Sequence, residues 1–484
     1  MEIPFICKNL NCYERIVNTA FRMESSVDCV VPDVQEDIQH ILSASFTAKI
    51  RSKDTDYENV SVKAELAATV LYSSDKGIEK LEAVLPLNAD IPAADADSSC
   101  STTVDLIIDS YEVKTINPRK ISVSAIVIAE VKCYKNRDIA LYEVPEELPD
   151  KLFVNSITQN ALTIDTVGEK TFILEEEFDT EHGDKVQLMS CSSTFLSDGY
   201  EAVGERIVVR GHAAIECVYI CDGRLKFRSF NAPFSQLFDT GSECIADIDV
   251  HILSTGEYYE IADDRMIAEI HAVIQLAVYA KSEIRYASDA YSCTNELEIG
   301  YEKLEIADGC ESSRYEGSVQ LTYDAGEELA EIQYCTAYCG VPKLSDGSTV
   351  IPVSANIIYK TANGELSARK LHGTASVSVE NAGVPESMKA LVYDTAVSIN
   401  GSIVDFRGTV KLTAVYEHRS GIDIIRELNL GIEMPQNRPA AYLVRQTDEI
   451  WELAKKYKSD PELICSINNL SDDLNKKLLL IPRV

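Results

Sequence analysis

One tryptophan in 484 residues is the scarcest feature of this chain, and no apolar run approaches the roughly 18 residues a membrane-spanning helix needs. The start, "MEIPFICKNLNCYERIV", lacks the basic opening, the apolar stretch of roughly 7–15 residues and the small-residue cleavage site of a secretory leader. The expectation is a soluble, non-exported protein. Chemical punctuation is missing too: there is no Walker A loop, no G-x-S-x-G, no H-E-x-x-H and no paired C-x2-C. The seven histidines do not cluster, and "GHAAIEC", with His212 and Glu216 on one strand face, alternates with Ala214 as a sheet surface does. Glu175–Glu177 reads as a solvated strand entry, and "DADSS" at 95–99 has neither the glycine nor the glutamate of a calcium loop. No catalytic residue, cofactor or metal is expected. Positive charge is in deficit, 45 basic against 78 acidic side chains for a net charge of −33, and this excludes nucleic acid as a favoured ligand.

Fourteen cysteines are scattered through the chain. With no leader, they are expected to remain buried thiols in a reducing compartment. The closest pairs, Cys217/Cys221 and Cys335/Cys339, are C-x3-C; positions four apart on a strand lie about 13 Å from each other, too far to share one ion.

What the chain has in quantity is alternation. "VSVKAELAATVLY" (60–72), "IVVRGHAAIECVYI" (207–220) and "TVIPVSANIIYK" (349–360) have the period-2 pattern of half-buried strands rich in Val, Ile and Tyr. A tyrosine closes each run before a polar turn: Tyr72, Tyr219 and Tyr359. Asp222-Gly223 and Asn363-Gly364 are hairpin signals because both residue types tolerate positive φ. A second long run follows each hairpin and ends at Tyr134, Tyr279 or Tyr416, which lie 62, 60 and 57 residues after the first tyrosine. The repeat spans about 140 residues, far beyond the roughly 20–50 of a solenoid, so each copy is expected to be a domain with its own core. The boundaries fall at 1–147, 148–292 and 293–433, with a proline-bearing linker at 434–439 and a tail at 440–484. "VPDVQEDIQHILSASFTAKI" (31–50) reads as a proline, a helical turn and a strand, and "SEIRYASDAYS" (282–292) as the connection from second copy to third.

The repeated hairpin-plus-long-strand pattern, "VPDVQEDIQHIL", "APFSQLFDT" (232–240) and "EIRYASDAYS" resemble the SPOCS domain of endospore-forming bacteria. The second copy carries the likeness best. The third lacks the "PF" after its hairpin. This resemblance implies a mainly β fold, with three tandem sandwich-like SPOCS domains.

The tail is electrically distinct, with seven acidic and seven basic residues in 440–484. Tyr442–Val444 and Leu478–Ile481 read as short strands. Between them Ile450, Leu453, Ala454 and Tyr457 mark one helix face, and Asp460-Pro461 an N-cap and first helical position. Leu463, Ile464 and Ile467 are expected on the buried face of the second helix. Trp451 lies about 100° off the first helix's apolar face, at a rim shared with Lys455 and Lys458. The strand-helix-helix-strand order resembles a small α+β LysM module: Ile450-Trp451, Leu453-Ala454 and Asn468-Asn469-Leu470 fit its motif, while Thr447-Asp448-Glu449 replaces its Gly-Asp-Thr turn. Losing the glycine and adding the Glu449 charge weakens sugar reading without preventing protein binding. The likeness implies a partner-binding face of Asp448, Glu449, Trp451, Lys455, Lys458, Asn468, Asn469 and Leu470. SPOCS copies followed by LysM are similar to coat morphogenetic proteins of clostridial spores. This implies a non-enzymatic scaffold in the mother cell at the forespore surface, docking through LysM to the coat-basement ATPase SpoIVA and organising other coat proteins. Peptidoglycan of the wall or cortex is the alternative ligand.

Overall fold

Alternating sequences build sheets with one apolar face each, and such sheets must pair face to face to bury it. A computed structural model describes residues 2–145, 147–180, 186–262, 265–345, 348–379, 385–435, 440–443, 449–470 and 478–482. The first unit comprises β1 (Ile6–Val30), β2 (His40–Asp56), β3 (Asn59–Ser74), β4 (Gly77–Pro92), β5 (Ser101–Asn117) and β6 (Lys120–Glu143). The second comprises β7 (Leu152–Asp179), β8 (Val186–Ala202), β9 (Arg206–Cys221), β10 (Arg224–Asp239), β11 (Ile245–Ala262) and β12 (Arg265–Ser292). In the third stand β13 (Asn295–Asp324), β14 (Leu329–Cys339), the short β15 (Lys343–Ser345), β16 (Ser348–Thr361), β17 (Leu366–Ser378), β18 (Ser387–Asn400) and β19 (Ile403–Glu433).

One antiparallel pairing scheme occurs three times. In the first unit β2-β3-β4 form one three-stranded layer and β1-β6-β5 the other. The second unit has β8-β9-β10 and β7-β12-β11. In the third are β14-β16-β17, with β15 added to β16, and β13-β19-β18. The inward residues are the alternate ones: Val60, Val62, Leu66 and Val70 of β3 are buried against Ile121, Val123, Val127 and Val131 of β6. Each such side chain contributes roughly 1.5–3 kcal/mol over its exposed state. Equivalent cores surround Ile207, Ile215, Ile270 and Leu276 in the second unit and Ile351, Ile357, Phe406 and Leu412 in the third.

The long strand pairs β1/β6, β7/β12 and β13/β19 run past their sandwiches and meet. Leu141, Ile284, Ile306 and Ile424, from all three units, share one buried cluster, and Tyr134, Tyr279, Leu162 and Ile164 share another. Leu42, Met189 and Tyr334 bring β2, β8 and β14 together elsewhere. Charge supplements hydrocarbon in this shared interior. Arg15 of β1, 5% exposed, places Nη2 2.8 Å from Glu417 and 2.9 Å from Glu386 of the third unit. Lys132 of the first unit meets Asp249 of the second at 2.5 Å, and Lys389 of the third meets Asp105 of the first at 2.7 Å. His251, 3% exposed, lies between Asp105 and Asp249 at 3.2 Å from each. Burial works to raise both carboxyls, but Lys389 and His251 at Asp105, and His251 and Lys132 at Asp249, outweigh it and hold both far below the usual range. Burial works to lower His251, yet the Asp249 charge and the two carboxylate hydrogen bonds leave its pKa raised.

Three local expectations are revised and one, the hairpin at Asp222-Gly223, is met. No helical turn follows Pro32; the segment makes a hydrogen-bonded turn, Gln35 N–H to Pro32 carbonyl at 2.9 Å, before β2. Asp222 and Gly223 take φ of 49° and 74°, the mirror-image turn that strand twist favours. Of Asn363-Gly364 only Gly364 has positive φ, 84°, because its N–H closes a four-residue turn onto Thr361. The thiol expectation fails at Cys191 and Cys217, which are joined by a disulfide across β8 and β9. Directly opposed antiparallel residues bring Cα atoms to the observed 4.5 Å, a spacing invisible in a run read strand by strand.

Candidate functional site

After β19 come β20 (Ala440–Leu443), α1 (Ile450–Tyr457), α2 (Pro461–Asn468) and β21 (Leu478–Ile481), with β20 and β21 antiparallel. Leu453 and Ala454 of α1, Ile464 of α2, and Leu479 and Ile481 of β21 are buried. Asp460 caps α2, its Oδ1 accepting from Glu462 N–H at 2.8 Å and Leu463 N–H at 3.3 Å, and Pro461 occupies the first helical position, where no N–H is needed. Each helix ends on a residue at positive φ: Lys458 at 54° and Asn469 at 49°.

The candidate residues divide into two groups. Asp448 lies outside the described residues. Glu449 is the exposed N-cap of α1 and makes no side-chain cap hydrogen bond. Asn469 is exposed and Leu470 half-buried at the far end of α2. Asn468 is not on a free face. It is buried, its amide donating to the carbonyls of Ile464 at 2.8 Å and Leu480 at 2.7 Å while its oxygen accepts from Leu480 N–H at 2.8 Å. It thus satisfies the edge of β21 from within, as a buried amide must. Ile467, expected inside, is 46% exposed, because the turn of α2 that faces the sheet carries Ile464 and Asn468 instead.

Trp451, Lys455 and Lys458 come together, and they face the body of the chain. The Trp451 indole N–H donates to Asp289 Oδ2 at 2.7 Å, and the Lys455 ammonium lies 2.8 Å from both Asp289 oxygens. The Tyr291 ring packs edge-on to Trp451 with centroids 5.0 Å apart and stacks on Phe153 at 5.2 Å. Its hydroxyl donates to the Ser459 carbonyl at 2.8 Å, and the Lys458 ammonium is 5.9 Å from its ring centroid. Tyr291 and Cys293 share one buried cluster with Ala454, Ile464 and Ile481. Burial tends to raise Asp289 and to lower Lys455; their mutual hydrogen bond and charge reverse both, so Asp289 titrates low and Lys455 high. The contact is therefore ionised throughout the neutral range. Burial pushes the Cys293 thiol up to about 11, which leaves it protonated.

Sequence reasoning missed Asp289 and Tyr291 because it took 282–292 as a connection. The segment is the last stretch of β12, still paired with β7 down to Ser292↔Leu152. A carboxylate and an aromatic two residues apart on a strand share one face, and this was the signal available. Elsewhere, His212 pairs with Asp198 at 3.1 Å, and Glu216 borders a cavity of about 480 Å³ between the units. Glu216 is solvent-exposed, and the protein packed around its carboxyl raises its pKa above the usual carboxylate value. No group of three or more His, Cys, Asp or Glu poised for a metal occurs among the described residues, and no described helix is long and apolar enough to cross a membrane.

Fold and site thus define a three-unit β protein with a small helical tail seated on the second unit's exit strand. The family model described as SipL, SPOCS domain matches residues 37–116, from the approach to β2 through nearly all of β5. This supports kinship of the first unit with the SipL family. Searches of curated proteins and of solved structures returned no match.

Proposed function

We propose that the chain is a non-enzymatic scaffold of endospore coat assembly. The β units, 1–147, 148–292 and 293–433, act as SPOCS domains; the segment 434–439 is a linker, and 440–484 is a LysM-type module. In the mother cell, at the forespore surface, the module docks to the SpoIVA-like morphogenetic ATPase, and the acidic body gathers other coat proteins. The observation that carries this reading is the SipL SPOCS match at 37–116. The threefold repetition of one strand pairing supports extending the domain reading to the rest of the body. A tail with internally satisfied Asn468 and protein-facing Trp451 suits a polypeptide ligand better than a sugar, which recognises open aromatic and amide groups. The test is coprecipitation of the ATPase with the full chain and with a version ending at Pro435. Recovery is expected only with the full chain; equal recovery from both defeats tail docking. A fluorescent fusion is expected to form a shell around the forespore from the mother-cell side, and pull-down on purified peptidoglycan favours the wall-binding alternative instead.

A further inference from the structure

The stretch of β12 beneath the tail has the form of a ligand built into the chain. We propose that the tail face bearing Trp451, Lys455 and Lys458 is a docking site for an extended acidic-x-aromatic segment, and that Asp289–Tyr291 occupies it in the free chain as an internal competitor. The inference takes from the scaffold reading only that the tail has an outside protein partner, and adds what that partner presents. Residues two apart on a strand point the same way, so an extended Asp-x-Tyr delivers its carboxylate and ring together. The carboxylate is received by two donors, the Trp451 indole N–H and the Lys455 ammonium, each at 2.7–2.8 Å. The ring enters beside it, edge-on to Trp451 and below Lys458, and its hydroxyl reaches the Ser459 carbonyl. These are separate recognition elements for charge, aromatic face and phenol, and the groups that supply them, Trp451, Lys455, Lys458 and the Ser459 carbonyl, all belong to the tail. An outside segment of the same chemistry makes the same contacts once the internal one withdraws, and its apparent affinity is reduced by the fraction of chains in which the site is covered.

Trp451, the sole tryptophan, reports directly on the site. The probe is a synthetic peptide with the sequence of residues 285–292, titrated into the full-length chain and its Asp289→Ala variant while Trp451 fluorescence is followed. In the variant the free-state emission is expected to move to the red, and the peptide to bind roughly tenfold tighter or more than to the parent, as for a site covered at least nine-tenths of the time. The same peptide carrying Asp289→Asn and Tyr291→Ala is expected to lose that binding. Lys455→Ala guards against a local folding effect: it should shift the emission as Asp289→Ala does, yet bind the peptide weakly. Equal peptide affinity for parent and Asp289→Ala chains, or failure to distinguish the two peptides, overturns the proposal. Peptide binding as expected, together with ATPase recovery unaffected by truncation at Pro435, removes the docking partner named above and leaves this site standing.

Discussion

Replacing Arg15 with methionine tests whether ion pairs or hydrocarbon hold the first and third units together. The guanidinium is 5% exposed and bridges Glu417, itself 7% exposed, and the more open Glu386, with the Tyr279 hydroxyl of the second unit at 3.5 Å. Removing one member of a buried pair costs about 3–5 kcal/mol, because the remaining carboxylate stays desolvated. Two features place this site at the lower end. Arg419 still donates to Glu417 at 2.7 Å, and Glu386 can turn to water. The expected loss is about 3 kcal/mol. Native-state hydrogen exchange reads it best, since a chain of several cooperative units has no single unfolding free energy. At 1.4 kcal/mol per factor of ten, amides of β18 and the middle of β1 should exchange roughly a hundredfold faster, while those of β9 and β10 stay unchanged. Adding Glu417→Gln should recover most of the loss by removing the stranded charge. A single variant within about 1 kcal/mol of the parent, or a double variant worse than the single, refutes the ionic account.

His251 makes stability depend on pH. Its folded pKa is raised, so the folded chain holds the proton more tightly than the unfolded one. That contribution is complete below the unfolded value of about 6.5 and vanishes as pH climbs through the folded value. Lys132, Glu130, Asp105, Asp249 and Lys389 surround the ring from all three units, so melting temperature should fall across this window and the fall should flatten in His251→Gln; an unchanged slope rejects the assignment. Gly211→Ala should cost about 2–3 kcal/mol in the second unit, the upper part of the overpacking range. A Cβ there would lie 2.3 Å from the Leu196 carbonyl oxygen and 2.5 Å from the Phe234 ring, and the carbonyl cannot turn aside. Gly256→Ala, whose Cβ would meet nothing nearer than 3.8 Å, is the calorimetric control; equal losses at the two positions contradict the steric explanation.

The strands were legible because burial on one face imposes period 2 on the residues themselves. Val60 through Tyr72 and Ile207 through Tyr219 show that alternation in the sequence and again in their exposure. The inter-unit contacts were not legible. Alternation tells which side of a strand a residue takes but not what lies opposite, and Arg15, Lys132, Asp105 and Asp249 look like ordinary solvated strand positions until three units converge on them. The same limit hid Cys191 from Cys217, since register between two strands is a property of the pair. At Ile467 and Asn468 composition misled. Counting apolar residues put Ile467 inside, whereas the unpaired edge of β21 required an amide there, and hydrogen-bond satisfaction outweighed hydropathy.

The terminal face shows the same division more sharply. Helix geometry alone sets Trp451 off the apolar stripe and beside Lys455, and both are half-buried. Their receptor lies 162 and 166 residues earlier in the chain, on a strand end that carries no helical or turn signal. A substitution at Trp451 therefore does two opposed things: it frees the face from Asp289 and removes part of that face. A fall in partner affinity at this residue alone cannot separate those effects. Asp289 can, because it belongs to the occupant and not to the site. If the tail is a clasp for acidic segments, the informative mutation is the one that leaves every tail residue in place, and it should strengthen the clasp.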